Sequence, residues 1–218
     1  MVKICGLTRT EDVTVAEAAG ADCLGAILAG GPRLLSPEQA RVVLGARRQG
    51  VRRVAVFGDQ PVAEVVDLAG RLDLDVVQLH GARTPSDVTT IARASGRTVW
   101  PVLRVAGATL PDEAEALASA QETLVLDAHV VGQLGGTGIA LDWDALADSV
   151  HRLRERLPSL TLVLAGGLRP ENVAEAIRLL SPQVVDVSSG VESAPGVKDP
   201  VRVQQFVQAV RAAAERSR

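Results

Sequence analysis

The sequence predicts an α/β fold, a single-domain (β/α)₈ TIM barrel that covers residues 1–218. Short apolar segments alternate with helical segments from end to end, which makes about eight strand–helix units, the number at which a parallel sheet closes. A length of 218 residues is ordinary for one such barrel, and no linker interrupts the series. The last two strand-like segments end in Gly-Gly and Ser-Ser-Gly, where these barrels commonly bind phosphate.

Four strand–helix units occupy the first half of the chain. In the first helical segment Val13, Ala16 and Ala19 recur at helical spacing. Ser36 begins the second helix, with Pro37 at its first position and Gln39 three residues after the serine, as in a capping box. The predicted strands are 2–5, 21–28, 51–57 and 75–79, and the predicted helices are 10–20, 36–48, 61–72 and 86–94.

The second half repeats this alternation. Strand 123–126 ends at Asp127 and leads into a glycine-rich loop, and Pro170 opens a segment with apolar residues at helical spacing. An open doubly wound sheet is disfavoured, because no G-x-G-x-x-G follows the first strand and the Gly-Gly-Thr-Gly cluster at 135–138 comes too late. The predicted strands are 98–103, 123–126, 160–165 and 184–187, and the other helices are 111–120, 142–157 and 200–216.

Composition points to a small-molecule partner. Only 2% of the residues are aromatic and the formal net charge is -3, so the sequence favours neither nucleic acid nor an anionic membrane surface. No apolar run approaches the roughly 18 residues of a membrane span, and the first residues do not resemble a signal peptide, so we expect a cytoplasmic protein. His129 and His151 have no partners at ligand spacing, and we expect no metal site.

The ends of the last two strands predict a phosphate site. Backbone amides of glycine residues approach an anion without obstruction by a Cβ atom, and serine hydroxyls add hydrogen-bond donors. The residues concerned are Gly166, Gly167, Ser188, Ser189 and Gly190.

Cys5 and Asp127 are the candidates for acid–base chemistry. A buried cysteine is usually inert packing, which suits Cys23, but Cys5 ends the first strand and its thiolate could take a proton from carbon. An aspartate after a strand is usually a cap or turn residue. Asp127, however, precedes a glycine-rich loop that could close over it and keep its carboxyl protonated. Together they suit an aldose–ketose isomerisation.

Among the other polar residues at or beside the predicted strand ends, Arg33 and Lys3 each allow two interpretations. Arg33 is either a surface arginine or a bidentate hydrogen-bond donor to a substrate carboxylate. Lys3 lies on the same side of its strand as Cys5 and either favours the thiolate or pairs with a carboxylate such as Asp186. His80 is expected to cap its own turn, and Arg104 and Thr137 are placed in loops.

A series of segments spread over nearly the whole chain carries a family resemblance: KICGLT, GPRLLSPEQA, VAVF, VQLHG, LVLDA with GGTG and LDW, AGGLRPENV and VDVSSGVESAPGVKD. On these segments the chain closely resembles the phosphoribosylanthranilate isomerases of tryptophan biosynthesis. The resemblance implies a (β/α)₈ barrel that catalyses an Amadori rearrangement without a cofactor. The chain departs from the family at GAILAGGPR, which lacks an aromatic residue in the second strand, and at Gly58-Asp59, where an asparagine is common.

The resemblance also implies roles for individual residues. Asp127 matches the general acid that opens the sugar ring, Cys5 matches the general base that takes the C2 proton, and Arg33 matches the arginine that meets the anthranilate carboxylate. Asp186 is expected to contact the sugar or to hold the site together. The residues that fall at the phosphate of the substrate are Gly166, Gly167, Ser189 and Gly190.

Two alternatives stay open at this point. The first is another phosphate-binding barrel enzyme of tryptophan or histidine biosynthesis, although such enzymes use aspartate, glutamate or lysine where Cys5 stands. The second is a non-catalytic barrel that binds a phosphorylated ligand, which would be expected to have lost the acid or the base. The sequence does not distinguish a monomer from a homodimer.

Overall fold

A computed structural model describes residues 1–45, 49–128 and 141–216. In these residues eight parallel strands follow one another around a closed barrel, and the last pairs with the first through Val2↔Val185 and Lys3↔Asp186. The predicted fold is therefore confirmed. The barrel strands are β1 (Val2–Ile4), β2 (Cys23–Ile27), β3 (Arg52–Phe57), β4 (Val76–Leu79), β5 (Thr98–Val105), β6 (Thr123–Ala128), β7 (Thr161–Leu164) and β8 (Val184–Val187).

Helices connect the strands and surround the barrel. Ser36 and Thr84 each form a capping box, and Asp142 caps a third helix by accepting a hydrogen bond from the Ala145 amide. The second helix ends at Leu44, and the predicted extension to residue 48 lies outside the described residues. The helices are α1 (Thr10–Ala19), α2 (Pro37–Leu44), α3 (Val62–Arg71), α4 (Pro85–Ser95), α5 (Glu113–Ser119), α6 (Trp143–Arg156), α7 (Val173–Leu180) and α8 (Pro200–Arg216).

The buried side chains form two apolar layers, because successive residues of a strand point to opposite faces of the sheet. One layer packs the strands against the helices. The other fills the barrel interior, where Trp100 is the largest member. Cys23 belongs to the inner layer, as expected for a packing cysteine, and burial raises its pKa to about 11. The inner layer consists of Cys23, Val54, Val76, Trp100, Val102, Val125, Val163, Ala165 and Val184.

Two features differ from the predicted elements. Strands β5 and β6 continue to Val105 and Ala128, because Arg104 pairs in register with Asp127, so the expected loop position of Arg104 is wrong. After β8 the chain forms a 3₁₀ turn and a small antiparallel hairpin of β9 (Glu192–Ala194) and β10 (Val197–Lys198). Strands of two or three residues are too short to leave a periodic pattern in the sequence.

No described helix is a candidate membrane span. Within residues 1–45, 49–128 and 141–216, no helix combines the length and apolar composition that a membrane-spanning segment requires.

Replacing Trp100 by alanine should reduce the free energy of unfolding by about 3–5 kcal/mol, because it leaves a cavity in the barrel interior. Urea unfolding measures the change. The matched control is Val42→Ala, at a side chain that is 61% exposed, and it should change stability by less than about 0.5 kcal/mol. Equal effects of the two substitutions would contradict the assignment of Trp100 to the packed interior.

Candidate active site

A cavity opens at the carboxyl ends of the barrel strands, which is the functional face of this fold. The structure brings all nine site residues predicted from the sequence to its wall. Asp127 comes from β6, and the other eight come from the two ends of the chain, because the barrel closes by pairing β1 with β8. The nine are Cys5, Arg33, Asp127, Gly166, Gly167, Asp186, Ser188, Ser189 and Gly190.

Cys5 shares a buried charge cluster with Lys3 and Asp186. The Lys3 Nζ atom donates a hydrogen bond of 2.7 Å to Asp186 Oδ2, so the expected pairing of these two residues is confirmed. Burial alone would lower the pKa of Lys3, but the charges and hydrogen bonds of Asp186 and Cys5 together outweigh it and raise that pKa. For Cys5 the balance is different, because burial raises the pKa of the thiol and the Lys3 charge only partly opposes it.

Gly25 of β2 makes room for this cluster. A Cβ atom at Gly25 would lie 3.0 Å from Cys5 Sγ and 3.1 Å from Lys3 Cε, tighter than ordinary van der Waals contact. Because Gly25 has no side chain, both Lys3 and Cys5 can point into the barrel.

Asp127 is paired with His80. The His80 Nε2 and Asp127 Oδ2 atoms lie 2.8 Å apart, and both side chains are buried. The expectation that His80 caps its own turn is therefore wrong. The second oxygen of Asp127 lies against Gly166, whose φ of +84° favours glycine and whose added Cβ would approach Oδ1 to 2.8 Å.

Arg33 reaches the cavity, and Glu192 binds one edge of its guanidinium. Arg33 Nε donates to Glu192 Oε1 at 2.8 Å and Nη2 donates to Oε2 at 2.6 Å. These hydrogen bonds raise the pKa of Arg33. Glu192 was not singled out from the sequence, because it lies on the unpredicted hairpin, 159 residues further along the chain.

The ends of β7 and β8 form a glycine- and serine-rich rim. Gly166 and Gly167 both have positive φ, at +84° and +65°. The chain after β7 passes so close to Gly190 that an added Cβ would collide with the carbonyl oxygen of Leu168. Ser188 precedes the 3₁₀ turn that Ser189, Gly190 and Val191 form, which is the arrangement found at phosphate sites of this fold.

Four buried polar atoms of cavity-lining residues have no hydrogen-bond partner in the part of the chain that the structure describes. Buried polar groups are rarely left unpaired, and such atoms in a cavity indicate positions that a ligand satisfies. Gln78 is the least expected of the four residues, because no motif in the sequence assigns it a role. The four atoms are Gln78 Oε1, His80 Nδ1, Asp186 Oδ1 and Ser188 Oγ.

The described residues contain no cluster of three or more His, Cys, Asp or Glu side chains that could hold a metal ion. Thr137, His129 and the Gly-Gly-Thr-Gly cluster at 135–138 lie outside those residues.

The fold and the cavity define the class of protein: a (β/α)₈-barrel enzyme with a carboxyl group, a thiol and a glycine- and serine-rich rim at one cavity. Residues 2–209 match the model of a family described as N-(5'phosphoribosyl)anthranilate (PRA) isomerase. The chain belongs to this family of isomerases.

Individual relatives agree with the family match over nearly the whole chain. The N-(5'-phosphoribosyl)anthranilate isomerase of Acidithiobacillus ferrooxidans is 42% identical over 214 residues, covering 96% of this chain and 97% of the relative. The phosphoribosyl anthranilate isomerase structure from Thermotoga maritima superposes with a TM-score of 0.83 at 33% identity, covering 97% and 98% of the two chains. A further isomerase structure, in complex with reduced 1-(o-carboxyphenylamino)-1-deoxyribulose 5-phosphate, has a TM-score of 0.80, 32% identity and the same coverage.

Burial and the charges around Cys5 predict a thiol whose pKa lies above the ordinary value for cysteine. The Lys3→Met substitution should raise the pKa of Cys5 further, because it removes the cation and leaves the Asp186 carboxylate. Thiolate absorbance in the ultraviolet measures the titration, and Cys23→Ala in both proteins removes the other thiol. An unchanged or lower pKa in the Lys3 variant would contradict the role of Lys3.

Proposed function

We propose that this protein converts N-(5-phosphoribosyl)anthranilate into 1-(2-carboxyphenylamino)-1-deoxyribulose 5-phosphate in tryptophan biosynthesis. The observation that carries the proposal is one cavity in which a thiol, Cys5, and a carboxyl group, Asp127, lie with the glycine rim of β7 and β8. The family relationship supports it, because a relative binds the reduced form of this product.

In the first proposed step Asp127 acts as the general acid. It protonates the ring oxygen of the sugar, the bond between this oxygen and C1 breaks, and a cationic Schiff base forms with the anthranilate nitrogen. Asp127 Oδ2 lies 2.8 Å from His80 Nε2, so His80 fixes the carboxyl group while Oδ1 stays beside the rim at Gly166. A fixed donor can deliver its proton without reorganisation of the site.

In the second step the Cys5 thiolate takes the proton from C2. The electron pair of the C2–H bond moves toward the cationic nitrogen and gives an enolamine, which then tautomerises to the ketone. The two steps transfer protons and shift electron pairs within one molecule, reducing C1 and oxidising C2, so the reaction needs no external oxidant or reductant. Lys3 beside Cys5 opposes the rise in the pKa of the thiol that burial causes.

The substrate-binding groups are assigned by charge and by their unpartnered atoms. The phosphate binds the backbone amides of Gly166, Gly167 and Gly190 and the Ser188 and Ser189 residues. The buried oxygens Gln78 Oε1 and Asp186 Oδ1, which have no partner in the described chain, accept hydrogen bonds from sugar hydroxyls. Arg33 meets the anthranilate carboxylate.

Cys5→Ala and Asp127→Asn should each lower turnover by at least about 10² while leaving the affinity for the reduced product analogue nearly unchanged, as expected for acid–base groups. The fluorescence assay of the purified protein measures turnover, and rescue of a tryptophan auxotroph that lacks this isomerase tests the function in cells. Cys23→Ala is the control for a buried cysteine outside the cavity. A Cys5→Ala protein with parental turnover would overturn the mechanism.

Gly190→Ala should weaken the inhibition by inorganic phosphate by at least about tenfold, because the added Cβ pushes the Leu168 carbonyl away and distorts the rim. Steady-state inhibition measures the effect. Gly107→Ala is the control, since nothing lies within 4 Å of a Cβ at that position. Unchanged inhibition in the Gly190 variant would remove this rim from the phosphate site.

A further inference from the structure

The two edges of the Arg33 guanidinium are in different situations. An arginine can bind a carboxylate through its side edge, Nε with Nη2, or through its end edge, Nη1 with Nη2. Glu192 occupies the side edge with hydrogen bonds of 2.8 and 2.6 Å. The end edge is different, because Nη1 has no hydrogen-bond partner in residues 1–45, 49–128 and 141–216, and Arg33 lines the cavity.

Lys198 holds Glu192 in this position. Its Nζ atom donates to Glu192 Oε1 at 2.7 Å and to the Ser188 carbonyl oxygen at 3.1 Å. Lys198 and Glu192 are paired in register across the β9–β10 hairpin, and their side chains are 0% and 5% exposed. A buried carboxylate with cations on both sides has little freedom to turn toward the cavity.

The aliphatic part of Arg33 is fixed by Gly6, the residue after Cys5. Gly6 has a φ of +68°, and a Cβ there would lie 2.5 Å from Arg33 Cδ and 2.7 Å from Ser188 Oγ. The guanidinium is therefore held at its side edge by the Glu192 carboxylate, and the aliphatic part of the Arg33 side chain is held by the backbone next to Cys5.

Charge favours an anion at the remaining edge. Arg33 and Lys198 share the single carboxylate of Glu192, so the cluster has more basic than acidic groups against the cavity. Burial lowers the pKa of Lys198, and the Glu192 carboxylate opposes this shift. Burial would raise the pKa of Glu192, but the hydrogen bonds and charges of Arg33 and Lys198 together outweigh it and lower that pKa, which keeps Glu192 ionised and unable to donate a proton.

We propose that Glu192, held by Lys198, is a positioning residue for substrate selection: it binds the side edge of Arg33 so that the end edge receives the aromatic carboxylate of the substrate. The inference rests on the proposed function and adds to it the residues that make the site selective for a carboxylated ring. The opposite role, in which Glu192 competes with the substrate carboxylate for Arg33, predicts the opposite effect of its removal.

A pair of ligands separates these roles. One is the reduced 1-(o-carboxyphenylamino)-1-deoxyribulose 5-phosphate, and the other is the same molecule without the ring carboxylate. Calorimetry gives the dissociation constant of each ligand for the parent protein, Glu192→Gln and Glu115→Gln. The last is the control, because it removes an exposed Arg–Glu pair of 2.7 Å on the outer surface.

The parent protein should prefer the carboxylated ligand, and Glu192→Gln should reduce this preference by at least about tenfold, since the amide cannot accept both Arg33 hydrogen bonds. Binding of the carboxyl-free ligand should change by less than about twofold, which also shows that the variant is folded. With substrate, KM should rise while kcat stays within about threefold of the parent value.

An unchanged or stronger preference in Glu192→Gln, with intact binding of the carboxyl-free ligand, would overturn the inference. If that variant does not fold, Glu192→Asp replaces it; the shorter side chain should also reduce the preference, and full retention would count against the role. A parent protein that binds neither ligand would instead overturn the proposed function. A parent protein that turns over substrate but binds both ligands equally would overturn only the inference.

Discussion

The structure of the site depends on the closure of the barrel between its first and last strands. The pairing of β1 with β8 puts Lys3 in register with Asp186, and their side chains form an ion pair in the barrel interior. A buried lysine without a partner is strongly disfavoured, so this pair favours one register of the closing strands over its neighbours. The same register places Cys5 beside Val187, whose carbonyl oxygen accepts the Cys5 amide hydrogen bond at 2.8 Å. The thiol and the glycine-serine rim are neighbours for this reason.

Three ionisable groups at the cavity are each held by a partner that lies far away in the sequence. Lys3 holds Asp186, His80 holds Asp127, and Glu192 with Lys198 holds Arg33. Asp186 Oδ1 has no hydrogen-bond partner in the described chain, and Asp127 and Arg33 line the cavity. Burial makes charges expensive unless they are paired, and pairing also removes their freedom to rotate. These pairings therefore fix the orientation of the groups that the substrate is proposed to meet.

This arrangement explains which parts of the site could be predicted from the sequence. Residues such as Cys5, Asp127 and Gly166 could be found because they follow apolar strand segments, and the barrel brings all strand ends to one face. The partners His80 and Glu192 could not be assigned, because pairing depends on register and side-chain direction, which are not local properties of the sequence. The β9–β10 hairpin was missed because its strands are too short for a period, and Arg104 was misplaced because strand pairing with Asp127 extends β5 beyond its apolar residues.

The raised pKa of Cys5 has a consequence for the order of the proposed steps. In the ligand-free cavity burial favours the neutral thiol, which is a poor base. In the proposed first step, protonation of the ring oxygen by Asp127 turns the substrate into a cationic Schiff base, whose positive charge would develop in the cavity that the thiol lines. A nearby cation lowers the pKa of a thiol, and conjugation with the cationic nitrogen makes the C2 proton more acidic. In the proposed mechanism, acid catalysis at Asp127 therefore prepares both partners of the second proton transfer. A permanently ionised cysteine would instead add a second buried anion beside Asp186 and would cost stability in the resting protein.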